Sequence, residues 1–224
     1  MRRAARSLRS VLATSVVAAV VCVACAAAHA TPGAWARQVT NPWFPLKPGT
    51  TFVYTGEKDG ESGRDIVTVT DRTKVIRGVR STAVEDRLYL HGRLAERTTD
   101  WYAQDSRGTV WYFGEATAEL NSAGRVTSRE GTWQAGVDGA SAGIFMPAHP
   151  KVGQSFRQEY LRGHAEDHFA VIRLSRRSLL TKEWTPLEPD TVDRKLYVRG
   201  TGLVREETVK GGNERWQLAD VRHG

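Results

Sequence analysis

In this 224-residue sequence the residues best suited to chemistry are His164-Ala165-Glu166-Asp167-His168. On a helix the two histidines would share a face at i and i+4. On a strand His164, Glu166 and His168 would all point one way. Two imidazoles and a carboxylate suit zinc or iron, which gives the reading of a metal-dependent hydrolase. The plain alternative is a polar loop after Gly163, with Glu166-Asp167 serving a solvated turn or a weak calcium contact. Other catalytic chemistry finds no support. Both cysteines, Cys22 and Cys25, fall within the first 30 residues, and neither a Gly-x-Ser-x-Gly elbow nor a Gly-rich phosphate loop is present. Glu206 and Glu207 occupy adjacent strand positions and so face opposite ways. The balance points away from an enzyme, and no cofactor is implied.

The better candidate for binding is an aromatic hairpin over 98–115. Ser106-Arg107-Gly108 suits a three-residue connection, a type I turn followed by glycine as a bulge. This turn sets Asp105 opposite Thr109. Period-two alternation then places Trp101, Ala103, Trp111 and Phe113 on one face, expected to be core, and Asp100, Tyr102, Gln104, Val110 and Tyr112 on the other. Tyr102, Gln104 and Tyr112 are the expected ligand contacts. Ile144, Phe145 and Met146 form an apolar plug that could cover the opening. Seven tryptophans make the chain aromatic-rich, and in a β-domain without disulfides most such rings fill the core.

These residues must be positioned by an exported domain. Arg2, Arg3, Arg6 and Arg9 precede an apolar run over 11–28 and then Ala28-His29-Ala30, the layout of a secretory signal cleaved after Ala30. Val23-Ala24-Cys25 matches part of a lipoprotein cleavage box. Membrane association would require lipidation at Cys25 or an uncleaved signal. The formal charge of +7 includes those four signal arginines, so the mature chain carries only +3. Its charges are interspersed, which argues against a nucleic-acid partner.

Along the mature chain, residues 31–50 read as an extended lead-in, rich in proline and tryptophan, and 51–222 as a single antiparallel β domain. Short β-branched runs alternate with glycine turns, and no helical period is sustained. If His91-Gly92 is a two-residue turn, Leu90 faces Arg93, and the same register sets Arg87 against Glu96 and Asp86 against Arg97. Residues 135–153, with four glycines and two prolines, read as one long loop. The expected fold class is all-β, mainly antiparallel: a single curved sheet, half-barrel or barrel.

Several strings carry a resemblance: PLKPGT at 45–50, DWYAQD at 100–105, VWYFGE at 110–115, GVDGA at 136–140, MPA at 146–148 and KEWTPLEP at 182–189. With these the chain resembles a family of exported bacterial β-rich proteins to which no activity is assigned. YVRGTGLV at 197–204 is similar to a strand-turn-strand signature of envelope half-barrel proteins, some of which shield lipid or other apolar ligands. In the family pattern an extra strand lies between segments like 172–174 and 179–181; here only 175–178 joins them. Such a loss implies an open sheet or an unpaired edge.

The sequence therefore points to an exported, non-enzymatic β-domain of the cell envelope that binds a lipid, another apolar or amphipathic ligand, or an envelope protein partner. The metal-dependent hydrolase and a carbohydrate-binding or wall-associated module are the alternatives.

Overall fold

The computed structural model of the chain describes residues 34–224. The signal segment, its cleavage after Ala30 and lipidation at Cys25 lie outside the described residues. All of the regular structure among the described residues is strand. The first five strands form a meander: β1 (Thr50–Lys58), β2 (Glu61–Ile76), β3 (Val79–Leu90), β4 (Arg93–Gln104) and β5 (Val110–Leu120). Five short strands come next: β6 (Val126–Ser128), β7 (Trp133–Gln134), β8 (Ser141–Met146), β9 (Ser155–Arg157) and β10 (Glu159–Tyr160). The chain ends with β11 (His168–Leu174), β12 (Ser178–Trp184), β13 (Val192–Val198), β14 (Gly202–Lys210) and β15 (Arg215–His223).

These strands form one antiparallel sheet in the order β10-β8-β5-β4-β3-β2-β1-β15-β14-β13-β12-β11-β9, with β6 and β7 pairing to β5 off this path. The two ends of the order, β9 and β10, are separated in sequence only by Gln158. Residues 155–160 therefore pair with β11 on one side and β8 on the other, and nearly close the sheet into a barrel. Gly143 permits this seam: a Cβ there would fall 2.3 Å from the Arg157 carbonyl oxygen.

Tight turns arise where the sequence places them. At His91-Gly92 both residues have positive φ, 47° and 75°, the primed-turn geometry that matches strand twist. Leu90 does face Arg93, but a bulge between Leu88 and Tyr89 shifts the register by one residue farther along the hairpin. Arg87 consequently lies opposite Arg97 and Asp86 opposite Thr98, in place of the expected charge pairs. The loop expected over 135–153 is interrupted by β8, a strand hidden by its glycine-rich surroundings. The 175–178 connection makes an ordinary hairpin, with the Ser175 amide donating to the Ser178 carbonyl at 2.8 Å, and leaves β11 paired on both sides.

Val69, Val110 and Leu179 are fully buried, and Phe169, Val171 and Tyr197 nearly so. Each such aliphatic or aromatic side chain contributes about 1.5–3 kcal/mol. The lead-in packs across the barrel instead of trailing from it. Trp35 meets Phe113 edge-on at 5.3 Å, the Ala36 amide donates to the Gln104 carbonyl at 2.8 Å, and Val39 bridges to Leu46. The Gly200 amide then donates to the Pro42 carbonyl at 2.7 Å, tying the 42–46 turn to the β13–β14 connection.

Candidate functional site

The aromatic hairpin supplies the first wall of an interior cavity. Asp105 accepts at Oδ1 from the Arg107 and Thr109 amides and at Oδ2 from the Trp111 indole, which locks the turn. Tyr102 then pairs with Tyr112, as the turn requires, and their rings stack at 4.7 Å. One step on, a bulge leaves Phe113 unpaired and sets Trp101 opposite Gly114. Its consequence is chemical. Tyr112 and Glu115, three residues apart, would face opposite sides of a regular strand, but the extra residue turns both inward, with Asp100 directly opposite Glu115.

The cavity, of about 270 Å³, is apolar toward the lead-in, where Phe44, Leu46, Phe52 and Phe145 line it. Phe44 packs on Phe145 at 4.5 Å and on Tyr102 at 5.1 Å. The rest of its wall is acidic. Asp65 of β2, Asp86 of β3, Asp100 of β4, Glu115 of β5, Glu159 of β10, Asp167, Glu183 of β12 and Glu206 of β14 all border it. The one cation among the lining residues is Lys195 of β13. A second hollow of about 560 Å³ shares Glu115, Glu159, Asp167, Glu183, Lys195 and Glu206, and adds Glu119, Glu130, Glu188 and Asp193. The acidic wall thus continues to a mouth where Asp167 is exposed.

Hydrogen bonding and burial both favour protons on these carboxyls. Tyr112 Oη contacts both Asp100 Oδ1 and Glu115 Oε2, yet a phenol has one proton to donate. The second contact is a hydrogen bond only if a carboxyl supplies its own. Burial accordingly pushes Asp100 up to about 7 against the opposing Tyr112 bond, and burial, with Asp100 beside it, raises Glu115 well above the carboxylate range. Burial also raises Asp65, whose Oδ1 has no hydrogen-bond partner, and burial, with Asp65 beside it, raises Asp86 well above the carboxylate range. Lys195 Nζ lies 3.0 Å from Glu183 Oε2 and 3.3 Å from Glu206 Oε1. Burial would depress the lysine, but these two carboxylates hold it well above its usual value. Even beside it, Glu206 is pushed up to about 7, because burial outweighs the lysine's field.

Glu159 carries a second such oxygen. It is 7% exposed, and burial, with the field of Asp167 added, pushes it up to about 8. The Trp133 indole is near enough to oppose part of that rise, but neither Trp133 Nε1 nor Glu159 Oε2 has a hydrogen bond of normal geometry. A carboxyl oxygen is thus buried in the wall without a hydrogen-bond partner.

The residues singled out from sequence separate into groups. Tyr102, Tyr112 and Phe145 line the cavity. Gln104 does not: its Oε1 accepts from the Thr40 and Asn41 amides at 2.8 and 2.7 Å, fastening the lead-in. Ile144 and Met146 belong to β8, paired opposite Trp111 and Val110, and the plug is a strand of the wall. Trp101 and Trp111, expected as core, are half-buried on the outer face, Trp101 under Lys74 at 3.9 Å. His164, Glu166 and His168 do not share one strand, because His164 sits in a turn closed by the Leu161–Ala165 bridge, Glu166 follows that turn and only His168 begins β11. His164 Nδ1 meets Glu130 at 3.0 Å, Glu166 Oε1 accepts from the Gly163 amide, and His168 stacks on Trp184. Among the described residues no three histidine, cysteine or carboxylate side chains converge so as to hold a metal ion. Of the wall carboxylates, sequence reasoning set only Asp100 on the binding face. The available signal was a single acid in the inward phase of an otherwise apolar alternation, as in Val84-x-Asp86-x-Leu88.

No family model and no curated protein matches the chain. Two solved structures are similar to it. One, from Bacteroides fragilis, is of a protein described as exported with a YmcC-like fold; it is 11% identical, covers 80% of this chain and 98% of its own, and has a TM-score of 0.44. The other, described as a lipoprotein, is from Parabacteroides distasonis; it is 10% identical, covers 81% of this chain and 99% of its own, and has a TM-score of 0.39.

Proposed function

We propose that the chain is an exported, non-enzymatic β-domain that holds a small amphipathic molecule inside its barrel. The observation that carries this reading is the interior itself. Side chains from the lead-in and most of the long strands leave a cavity of about 270 Å³, apolar at one end and polar at the other, where close packing would otherwise fill the barrel. Export rests on the N-terminal signal.

Native mass spectrometry of the full chain with a mixture of lipids and short-chain amphiphiles tests this. The expected result is a one-to-one complex that Leu203→Trp, which fills the cavity from β14, abolishes without loss of the strand circular dichroism signal. A chain that takes up nothing, or a complex that Leu203→Trp leaves intact, overturns it.

A further inference from the structure

The polar end of the cavity is of one sign. Acids reach it from β2, β3, β4, β5, β10, β12 and β14, and Lys195 is already engaged by Glu183 and Glu206. The mouth adds further acids, Glu119, Glu130, Glu188 and Asp193, although the mature chain as a whole is weakly basic. Acids crowded into a low-dielectric wall are held partly protonated, and a cation placed among them favours their ionised form. An independent observation bears on where that charge would sit: two wall oxygens lack a hydrogen-bond partner, Asp65 Oδ1 and Glu159 Oε2, and Glu159, 7% exposed, is the more deeply buried of the two side chains. A metal ion is a poor fit, because among the described residues the carboxyls do not converge in threes. A nitrogen cation is a good one, since it brings N–H donors and spreads its charge over spaced acceptors. The aromatic end, with Phe44, Phe52 and Phe145, suits an apolar body beyond it.

We propose that the occupant is a cationic amphiphile, a primary ammonium on an apolar chain, with its nitrogen against Glu159 and its tail among the rings at the lead-in end. This rests on the cavity reading above and names the head group for it. Binding then exchanges a proton for a cation. Glu159 is faced by Asp167, Asp100, Glu115 and Lys195, and in the free protein its raised value keeps a large share of the carboxyls protonated at neutrality. The ammonium lets Glu159 ionise, and a proton leaves to solvent.

The test uses the full chain and three ligands with one tail, decylammonium, decanol and decanoate, below their aggregation concentrations in isothermal titration. Decylammonium is expected to bind at least tenfold more tightly than decanol, and decanoate most weakly. Its advantage should grow several-fold from pH 6 to pH 8.5, with a buffer-dependent enthalpy that reports proton release. Glu159→Gln should shrink the advantage toward unity. If decanol matches decylammonium and Leu203→Trp blocks both, the head-group proposal falls and the cavity reading survives. If none of the three binds, both fall. Should Glu159→Gln not fold, absence of proton release in the unmodified chain overturns the proposal by itself.

Discussion

Two regions of the molecule hold a basic side chain and a carboxylate at the same separation. In the 163–168 turn His164 Nδ1 lies 3.0 Å from Glu130, and in the barrel Lys195 Nζ lies 3.0 Å from Glu183. The first pair is 57% and 70% exposed, the second 22% and 10%. Water screens the first, so its partners can be exchanged for solvent at little cost. The second sits among seven other wall positions of like sign, where solvent cannot replace a lost partner. Spacing in the sequence marked the turn as the chemical site, whereas burial in the fold assigns that character to the barrel.

The largest effect should come from removing the barrel's cation. Lys195→Met leaves Glu183 and Glu206 facing each other without compensation, and breaking such a buried set costs about 3–5 kcal/mol. Urea unfolding at pH 7.5 measures it. The loss should be smaller at pH 5, where Glu206, already pushed up to about 7, takes a proton. An equal loss at both values would mean that the wall acids do not feel the lysine.

Next in size is the effect of pH. A carboxyl whose folded value lies above its unfolded one favours the folded state fully below the unfolded value, and that contribution is lost as pH rises through the folded value. Asp100 at about 7 and Glu159 at about 8 therefore place the loss between about pH 4.5 and pH 8. The melting temperature of the free protein should fall across that window. Glu159→Gln should flatten the slope and stabilise the chain at pH 8.5 by about 2 kcal/mol, a discounted share of the roughly 1.4 kcal/mol that each tenfold difference in proton affinity represents. Smaller again is Tyr112→Phe, which leaves Asp100 and Glu115 without their shared hydroxyl and should cost about 1–2 kcal/mol in urea unfolding.

Local rules made the hairpin readable but not its bulges. Asp105 opposite Thr109 and Tyr102 opposite Tyr112 are consequences of turn length alone. The extra residue at Phe113, which brings Glu115 inward beside Tyr112, depends on how the barrel must curve and has no mark in the sequence. The Leu88 bulge defeated the Arg87–Glu96 pairing in the same way. Strand β8 was hidden because six residues with a central glycine carry little propensity; its pairing to β5 and β10 makes it a strand. The acidic wall was invisible for a different reason. Each strand contributes a single acid, ordinary on any half-exposed strand, and only closure brings Asp65 and Glu206 to one cavity.

The smallest effect is expected in the 163–168 turn. His164→Ala removes the contact with Glu130, but both groups are exposed, and the turn retains the Leu161–Ala165 bridge and the Gly163 amide bond to Glu166. An exposed pair of this kind contributes about 0.2–1 kcal/mol at most, and salt screens it further. The substitution should therefore change the unfolding free energy by less than about 0.5 kcal/mol in 150 mM salt. It should also leave decylammonium binding within twofold, since His164 touches only the outer mouth. A loss approaching that of Lys195→Met would mean that the turn is clamped over the barrel, and that burial does not separate the two pairs.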